Sequence, residues 1–313
     1  MASLTHGIVD ALHRFKHRYL RDLNLGSIPG VRQLRQRLIE RNRMPVVDGI
    51  NGHSMYLDAQ DSLGLSWNKS FEVAETEFFR STVRRGQVVL DVGANIGYFT
   101  LLFAKQVGPG GHVFSFEPSP ANIAILEKNV AENGYHNVTI VPGAVSDQPG
   151  RLRLFLSEQN LGDHRIYDSG DGRASVEVEA LTLDGFFKDG RPKIDVIKMD
   201  IQGAEFGALK GMRRIFSANP HVIMLMEFWP FGLRRFGVGP EPLLRLLAEY
   251  GLAIRELDEK SPRLKPVEEG ELVARYPEGS PYHTNLLCAN PEVLQGLKRI
   301  GDSTRACNGE CLV

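Results

Sequence analysis

Apolar residues at Leu4, Ile8, Ala11, Leu12, Phe15, Tyr19 and Leu23 recur at helical spacing, with basic residues on the opposite face. The spacing predicts an amphipathic helix over 4–23, punctuated by Pro29 and Gly30, and a second short helix over 31–41. Residues 51–66 are mixed and turn-rich, which predicts a small β segment, and helical spacing returns over 71–83. From there the pattern alternates. Short apolar runs at 88–92, 113–116 and 138–141 read as buried strands, and the stretches between them, 97–107 and 119–133, read as helices. Ser119 followed by Pro120 supplies a cap and a first helical position.

Strand–helix–strand–helix–strand in so short a span predicts a parallel sheet with right-handed crossovers. Polar-edged strands follow at 151–156 and 175–181, around a Gly-, Asp- and Ser-rich loop over 157–174. Further strands are expected at 194–199, 221–228, 252–257 and 284–288, with helices at 205–216 and 240–250. The fold class expected is α/β: a doubly wound, mostly parallel, Rossmann-like sheet with an N-terminal helical extension. Its organisation is an N-terminal helical and short β extension (1–70), the main α/β domain (71–290) and a C-terminal tail (291–313).

Composition changes little in this picture. Hydrophobic residues make up 42% of the chain and charged residues 24%, with a net charge of −1, so nothing global marks a nucleic-acid binder. The N-terminal segment is the exception, with Lys and Arg in excess of Asp10, Asp22 and Glu40. Its basic amphipathic helix either packs on the main domain or contacts a membrane surface or a second copy of the chain. No apolar run approaches the ~20 residues that cross a bilayer, and basic residues interrupt any signal-peptide core, so a cytoplasmic protein is expected. Cys288, Cys307 and Cys311 form no complete metal set, and Cys307 with Cys311 reads as a pair of free thiols on a tail.

The informative segment runs from Asp91 to Thr100 and reads DVGANIGYFT. It closes a buried strand and opens a helix, and Gly93 and Gly97 let the backbone turn tightly against a ligand. Gly-x-x-x-Gly is not the spacing that cradles a pyrophosphate, and the acid at the strand end would repel one. Glu117 ends the next strand, where a carboxylate accepts both hydroxyls of a ribose. Together these residues describe a nucleoside whose other end is an amino acid. S-Adenosylmethionine meets that description; NAD and ATP meet it poorly.

This segment resembles the FkbM family of methyltransferases. So do the run VFSFEPSP at 113–120, Asn129 with Asn133, the run AVSD at 144–147, and the run IKMDIQGAE at 197–205. The similarity covers roughly 87–257. It implies a class I methyltransferase fold, S-adenosylmethionine as donor, and methyl transfer to a hydroxyl of a sugar, polysaccharide, glycolipid or polyketide. The residues expected to hold the cofactor are Asp91, Gly93, Ala94, Asn95, Gly97, Thr100, Glu117, Pro118, Ala144 and Val145. One departure is Gln202, where many relatives carry Glu; any catalytic or metal role of that carboxylate is missing here.

The catalytic candidates are Asp200, His164 and Glu227. By the resemblance Asp200, at a strand end, sits near the transferred methyl group. There it orients or deprotonates an acceptor hydroxyl, or else caps the following turn. His164, on the 157–174 loop, has the ordinary pKa of a neutral-pH base. Arg165 beside it is a candidate grip for an anionic or sugar acceptor, and Glu227 and Trp229 are candidates to border the acceptor pocket. Whether Lys198 shares their cleft is left open by the alternation of strand faces. Asp200 and Glu227 lack a His/Asp cluster at ligand spacing, and no metal is expected. Two rival readings stand beside the small-molecule or glycan acceptor. RNA methylation would call for a basic, aromatic-interleaved face. A non-catalytic scaffold of the same fold would have no need of Asp91, Glu117 and Asp200.

Overall fold

The computed structural model describes residues 46–158, 160–188, 192–259 and 263–303, which belong to the unit formed by residues 45–313. The helices expected over 4–23 and 31–41, with the membrane or partner contact read from the first, lie outside the described residues. So do Cys307 and Cys311.

The chain enters through a hairpin, β1 (Val46–Ile50) and β2 (His53–Tyr56), then two helices, α1 (Leu65–Asn68) and α2 (Val73–Thr82). The alternating core follows: β3 (Val88–Val92), α3 (Tyr98–Val107), β4 (His112–Glu117), α4 (Pro120–Glu132) and β5 (Val138–Pro142). A small sheet comes next, from β6 (Ala144–Val145), β7 (Gly150–Phe155) and β8 (Ser175–Leu181). Then come α5 (Leu183–Phe186), β9 (Val196–Met199), α6 (Glu205–Lys210), α7 (Arg213–Ala218) and β10 (Ile223–Phe228). The chain continues through α8 (Pro230–Arg235), α9 (Pro240–Glu249), β11 (Ala253–Leu257), β12 (Leu264–Lys265), α10 (Glu269–Arg275), β13 (Thr284–Ala289) and α11 (Pro291–Ser303).

The main sheet has eight strands in the order β12-β11-β13-β10-β9-β3-β4-β5. Pairing is parallel from β10 to β5, and β13 enters antiparallel between β10 and β11. This is the doubly wound class I methyltransferase arrangement. The winding starts at β3, runs out through β4 and β5, then returns to β9 on the other side. The switch point therefore lies between the carboxyl ends of β3 and β9, where such sheets open a crevice.

Each face of the sheet buries its own core. Leu90, Val92, Ile197, Met199, Met224 and Met226 pack on one side, and Val89, Val196 and Leu225 on the other. On that second side the strands turn polar toward their carboxyl ends: Asp91, Lys198 and Glu227 each follow an apolar residue by two positions.

The hairpin is tied to α4 by side-chain amides. Asn129 Nδ2 donates to the carbonyls of Tyr56 (3.1 Å) and Ile96 (2.7 Å), while its Oδ1 accepts from the Tyr56 N–H at 2.6 Å. Asn133 pairs in the same way with both backbone groups of Ser54. The two asparagines thus serve β2 as a neighbouring strand would. Asn129→Ala leaves three backbone groups without their partner and is expected to destabilise the protein by about 2–4 kcal/mol. Urea unfolding measures this, and an unchanged midpoint would show that the hairpin is held otherwise.

Where the helix expected over 205–216 should run unbroken, the chain breaks into α6 and α7. The break falls at Gly211, where a Cβ would stand 2.3 Å from the Ser146 carbonyl oxygen, so only glycine fits. The stretch expected as a tail begins with α11, which buries Leu294. Ser119 caps α4 as expected, its hydroxyl accepting from the Asn122 N–H at 3.4 Å. Among the described residues no helix is long and apolar enough to cross a membrane.

Candidate active site

At the switch point lies a cavity of about 400 Å³. Gly93, Ala94 and Asn95 form its floor, and two glycines make the turn there. Gly93 has φ +84°, and a Cβ on it would stand 1.9 Å from the Asp200 carbonyl oxygen. Gly97 has φ +95°, and its Cβ would stand 2.5 Å from Leu126 Cδ1. Neither position admits a side chain, so the β3–α3 turn lies flat against β9 and α4.

On the β4 side stands Glu117, buried. Its Oε2 accepts from the Asn95 N–H at 2.8 Å, and its Oε1 from the Ser119 N–H at 2.9 Å and Asn122 Nδ2 at 3.3 Å. Burial nevertheless pushes its carboxyl up to about 7, outweighing those donors. Pro118, Ala144 and Val145 line the same end. Residues 160–166 of the long loop cover it. Leu161 ties the loop down, its N–H donating to Ser62 Oγ at 2.9 Å and its carbonyl accepting from Asn122 Nδ2 at 3.2 Å.

On the β9 side stand Lys198, Asp200, Gln202, Glu227 and Glu72. Lys198 faces the cleft, its Nζ 3.4 Å from Asp200 Oδ2 and 5.0 Å from the centre of the Phe99 ring. Burial opposes its charge, but Asp200, Glu72, Asp91 and Glu75 more than compensate and hold the ammonium above its ordinary value. Gln202 Nε2 bridges two carboxylates, Asp200 Oδ1 at 2.9 Å and Glu227 Oε2 at 3.3 Å. It does so from a left-handed backbone (φ +57°) in a turn fixed by Glu205, whose Oε1 accepts from the N–H groups of Ile201 and Gly203. Burial, then Asp200 and Glu205, push the Glu227 carboxyl well above the carboxylate range.

Not every expected residue reaches the cavity. Asp91, Gly97 and Thr100 lie beneath it, where the Thr100 hydroxyl donates to Asp91 Oδ2 at 2.6 Å and contacts Ser115 Oγ at 2.9 Å. His164 lines the cavity, but its Nδ1 lone pair accepts the Ser157 N–H at 3.0 Å. The ring proton is then on Nε2, and burial holds the ring below the usual histidine range. Arg165 is fixed by Asp163 (2.7 Å) and lies 5.0 Å over the Trp229 ring. The ring also leaves no room for a Cβ on Gly232, and its Nε1 donates to the Pro281 carbonyl at 3.1 Å. Sequence reasoning missed Glu72. In the helical stretch expected over 71–83 it reads, with Glu75 and Glu77, as an acid available to face solvent, whereas Glu75 and the Glu72 Oε2 atom are buried.

A family model described as the methyltransferase FkbM domain matches residues 91–253. The chain is 28% identical over 177 residues to methyltransferase sdnD of Sordaria araneosa, covering 47% of this chain and 68% of that one. It is 24% identical over 216 residues to the hexuronic acid methyltransferase AglP of Haloferax volcanii, covering 67% and 83%. With the 2-O-methyltransferase NoeI of Sinorhizobium fredii it shares 32% identity over 142 residues, covering 40% and 56%.

Proposed function

Since the chain belongs to the FkbM family of methyltransferases, with S-adenosylmethionine as methyl donor, we propose that its acceptor is a hydroxyl of a sugar, glycolipid, polysaccharide or polyketide-type natural product. The donor site is the cavity at the switch point. Glu72 Oε2, Asn95 Oδ1 and Asn122 Oδ1 are buried acceptor atoms without a hydrogen-bond partner among the described residues, and all three residues line it. A ligand rich in N–H and O–H donors satisfies them, and S-adenosylmethionine carries an adenine amine, ribose hydroxyls and an ammonium group. Glu117 takes the ribose, and Gly93–Asn95 lie against the body of the cofactor. Asp91, Gly97 and Thr100 act from below by fixing the turn.

The observation that carries the choice of acceptor is the acid-rich β9 side. A carboxylate acceptor entering beside Asp200 meets like charge, with Lys198 already paired. A neutral hydroxyl meets no such repulsion and has a use for a base. The same acids disfavour a nucleic acid. That one relative is named a 2-O-methyltransferase and another a hexuronic acid methyltransferase supports oxygen and sugar chemistry.

Bound in the cavity, the donor supplies an electrophilic methyl group on a sulfonium. With a donor held there, Asp200 would take up the proton that the acceptor hydroxyl gives up. Gln202 holds Asp200 in place and ties it to Glu227, which borders the acceptor. The His164 Nε2–H is likewise placed to donate, which suits orientation better than proton removal. Trp229 and Arg165 form the wall against which the acceptor packs. The test uses donor labelled at the methyl group with a panel of glycans and polyols. The label is expected as a methyl ether that survives mild alkali. An alkali-labile ester would make the acceptor a carboxylate and overturn the proposal.

A further inference from the structure

Glu72 occupies the N-cap position of α2 without acting as a cap. Its side chain makes no capping hydrogen bond, and its backbone is left-handed at φ +42° and ψ 66°, a conformation that an L residue adopts only under constraint. The constraint is visible on both flanks. The Phe71 N–H donates to the Tyr98 hydroxyl at 3.1 Å, and the Thr76 hydroxyl donates to the Phe71 carbonyl at 2.9 Å. Thr76 and Tyr98 also meet at 3.1 Å, and the Phe71 and Tyr98 rings pack edge to face. Tyr98 opens the helix that follows the glycine turn, so the strained residue is anchored to the cofactor loop itself.

So anchored, Glu72 lines the cavity. Glu72 Oε2 is shut off from solvent and has no hydrogen-bond partner among the described residues. Glu75, held by Asn285 Nδ2 at 2.7 Å, stands beside it and hydrogen-bonds the Glu72 carboxyl. The charged groups that face Glu72 are Glu75 on its own helix, Lys198 and Asp200 from β9 and its end, and Glu227 from β10. One cation, already 3.4 Å from Asp200, faces several acids. An unpartnered acceptor atom in such surroundings fits a ligand group that is both positively charged and a hydrogen-bond donor.

The proposed donor has two cationic centres, and only one of them bears N–H groups. Glu117, which takes the ribose, ends β4; Glu72 stands among residues of β9, on the opposite side of β3. The two acids thus lie on either side of the cavity, as the ribose and the amino-acid end lie on either side of the sulfonium. Resting on the S-adenosylmethionine reading above, we propose that the Glu72 carboxylate binds the ammonium group of the donor's amino-acid end. Burial and Glu75 push the Glu72 carboxyl well above the carboxylate range, and a neighbouring ammonium would oppose that shift.

The test is a double-mutant cycle read by titration calorimetry. The probes are S-adenosylhomocysteine and its desamino analogue, in which hydrogen replaces the amino group. Wild-type protein is expected to bind S-adenosylhomocysteine about 10- to 100-fold more tightly than the analogue. In Glu72→Gln, which keeps the shape and can still donate to Glu75, that ratio is expected to fall to within about twofold, because only S-adenosylhomocysteine loses affinity. Glu72→Asp withdraws the oxygen by one methylene and should lower the same ratio should the Gln variant not fold. A ratio that survives the substitution overturns the proposal, and so does an equal loss for both ligands, which would mark a structural role. Failure of wild-type protein to bind S-adenosylhomocysteine is a different result, because it overturns the cofactor reading itself.

Discussion

Asp200→Asn is expected to lower kcat by about 10²–10⁴-fold while leaving S-adenosylhomocysteine affinity within about threefold of wild type. The expectation follows from how little else the substitution changes. Asp200 is fixed by its backbone, with its N–H on the Val92 carbonyl at 3.0 Å and its own carbonyl pressed against Gly93. Asparagine fits there and can still accept from Gln202, whose amide lies 2.9 Å from Oδ1. Lys198 keeps Glu72, Glu75 and Asp91 as counter-charges, so its ammonium is not stranded. Only the capacity to take up a proton is lost. His164→Ala should cost less than about tenfold, since the ring's lone pair is engaged by Ser157 and its pKa is held low by burial. No activity limb between about pH 6 and 7 should disappear with it. Near-wild-type turnover in Asp200→Asn, or a large loss in His164→Ala, would reverse the two roles.

The parts of this site that were legible in the sequence are those written in consecutive residues. The DVGANIGYFT segment reads as strand, turn and helix because alternation, glycine and helical spacing are local signals, and the structure builds it as read. Glu117 and Asp200 were found in the same way, as polar residues closing apolar strands. Asp91 illustrates the limit. Its place at a strand end suggested a ligand contact, yet its side chain points to Thr100 below the floor, and one strand cannot say which face a crevice opens on. Gln202 was noticed only as a departure from a pattern; that its amide lies between Asp200 and Glu227 depends on β9 and β10 lying side by side. Glu72 was not legible at all, because its backbone is set by Tyr98 and its use by Lys198, both distant in the chain. The break at Gly211 and the pairing of Asn129 with β2 failed to show for the same reason. In each case the deciding partner comes from another element.

Glu117→Ala is expected to weaken S-adenosylhomocysteine binding by about 2–4 kcal/mol, the loss of two charge-assisted hydrogen bonds to ribose. Its pH dependence gives a sharper test. The Glu117 carboxyl is pushed up to about 7 by burial, so near neutrality the empty site is divided between its neutral and ionised forms. Ribose hydroxyls donate to the ionised form. Affinity should therefore rise with pH through about 7 and level off above it, changing by about tenfold between pH 6 and 8. Glu72 also titrates upward of the carboxylate range, so the experiment is best done with 5′-methylthioadenosine, which carries the ribose and no amino acid. In Glu117→Gln the slope should vanish and binding stay weak throughout. The ligand-free protein should respond in the opposite sense. A carboxyl whose pKa is raised by folding disfavours the folded state as it ionises, so this group's contribution to stability falls as pH rises from about 4.5 through 7. A saturating nucleoside ligand should offset that loss at high pH, so the melting temperatures of free and bound protein should diverge between pH 6 and 8. A constant separation, or an affinity for 5′-methylthioadenosine that does not change with pH, would show that Glu117 does not hold the ribose.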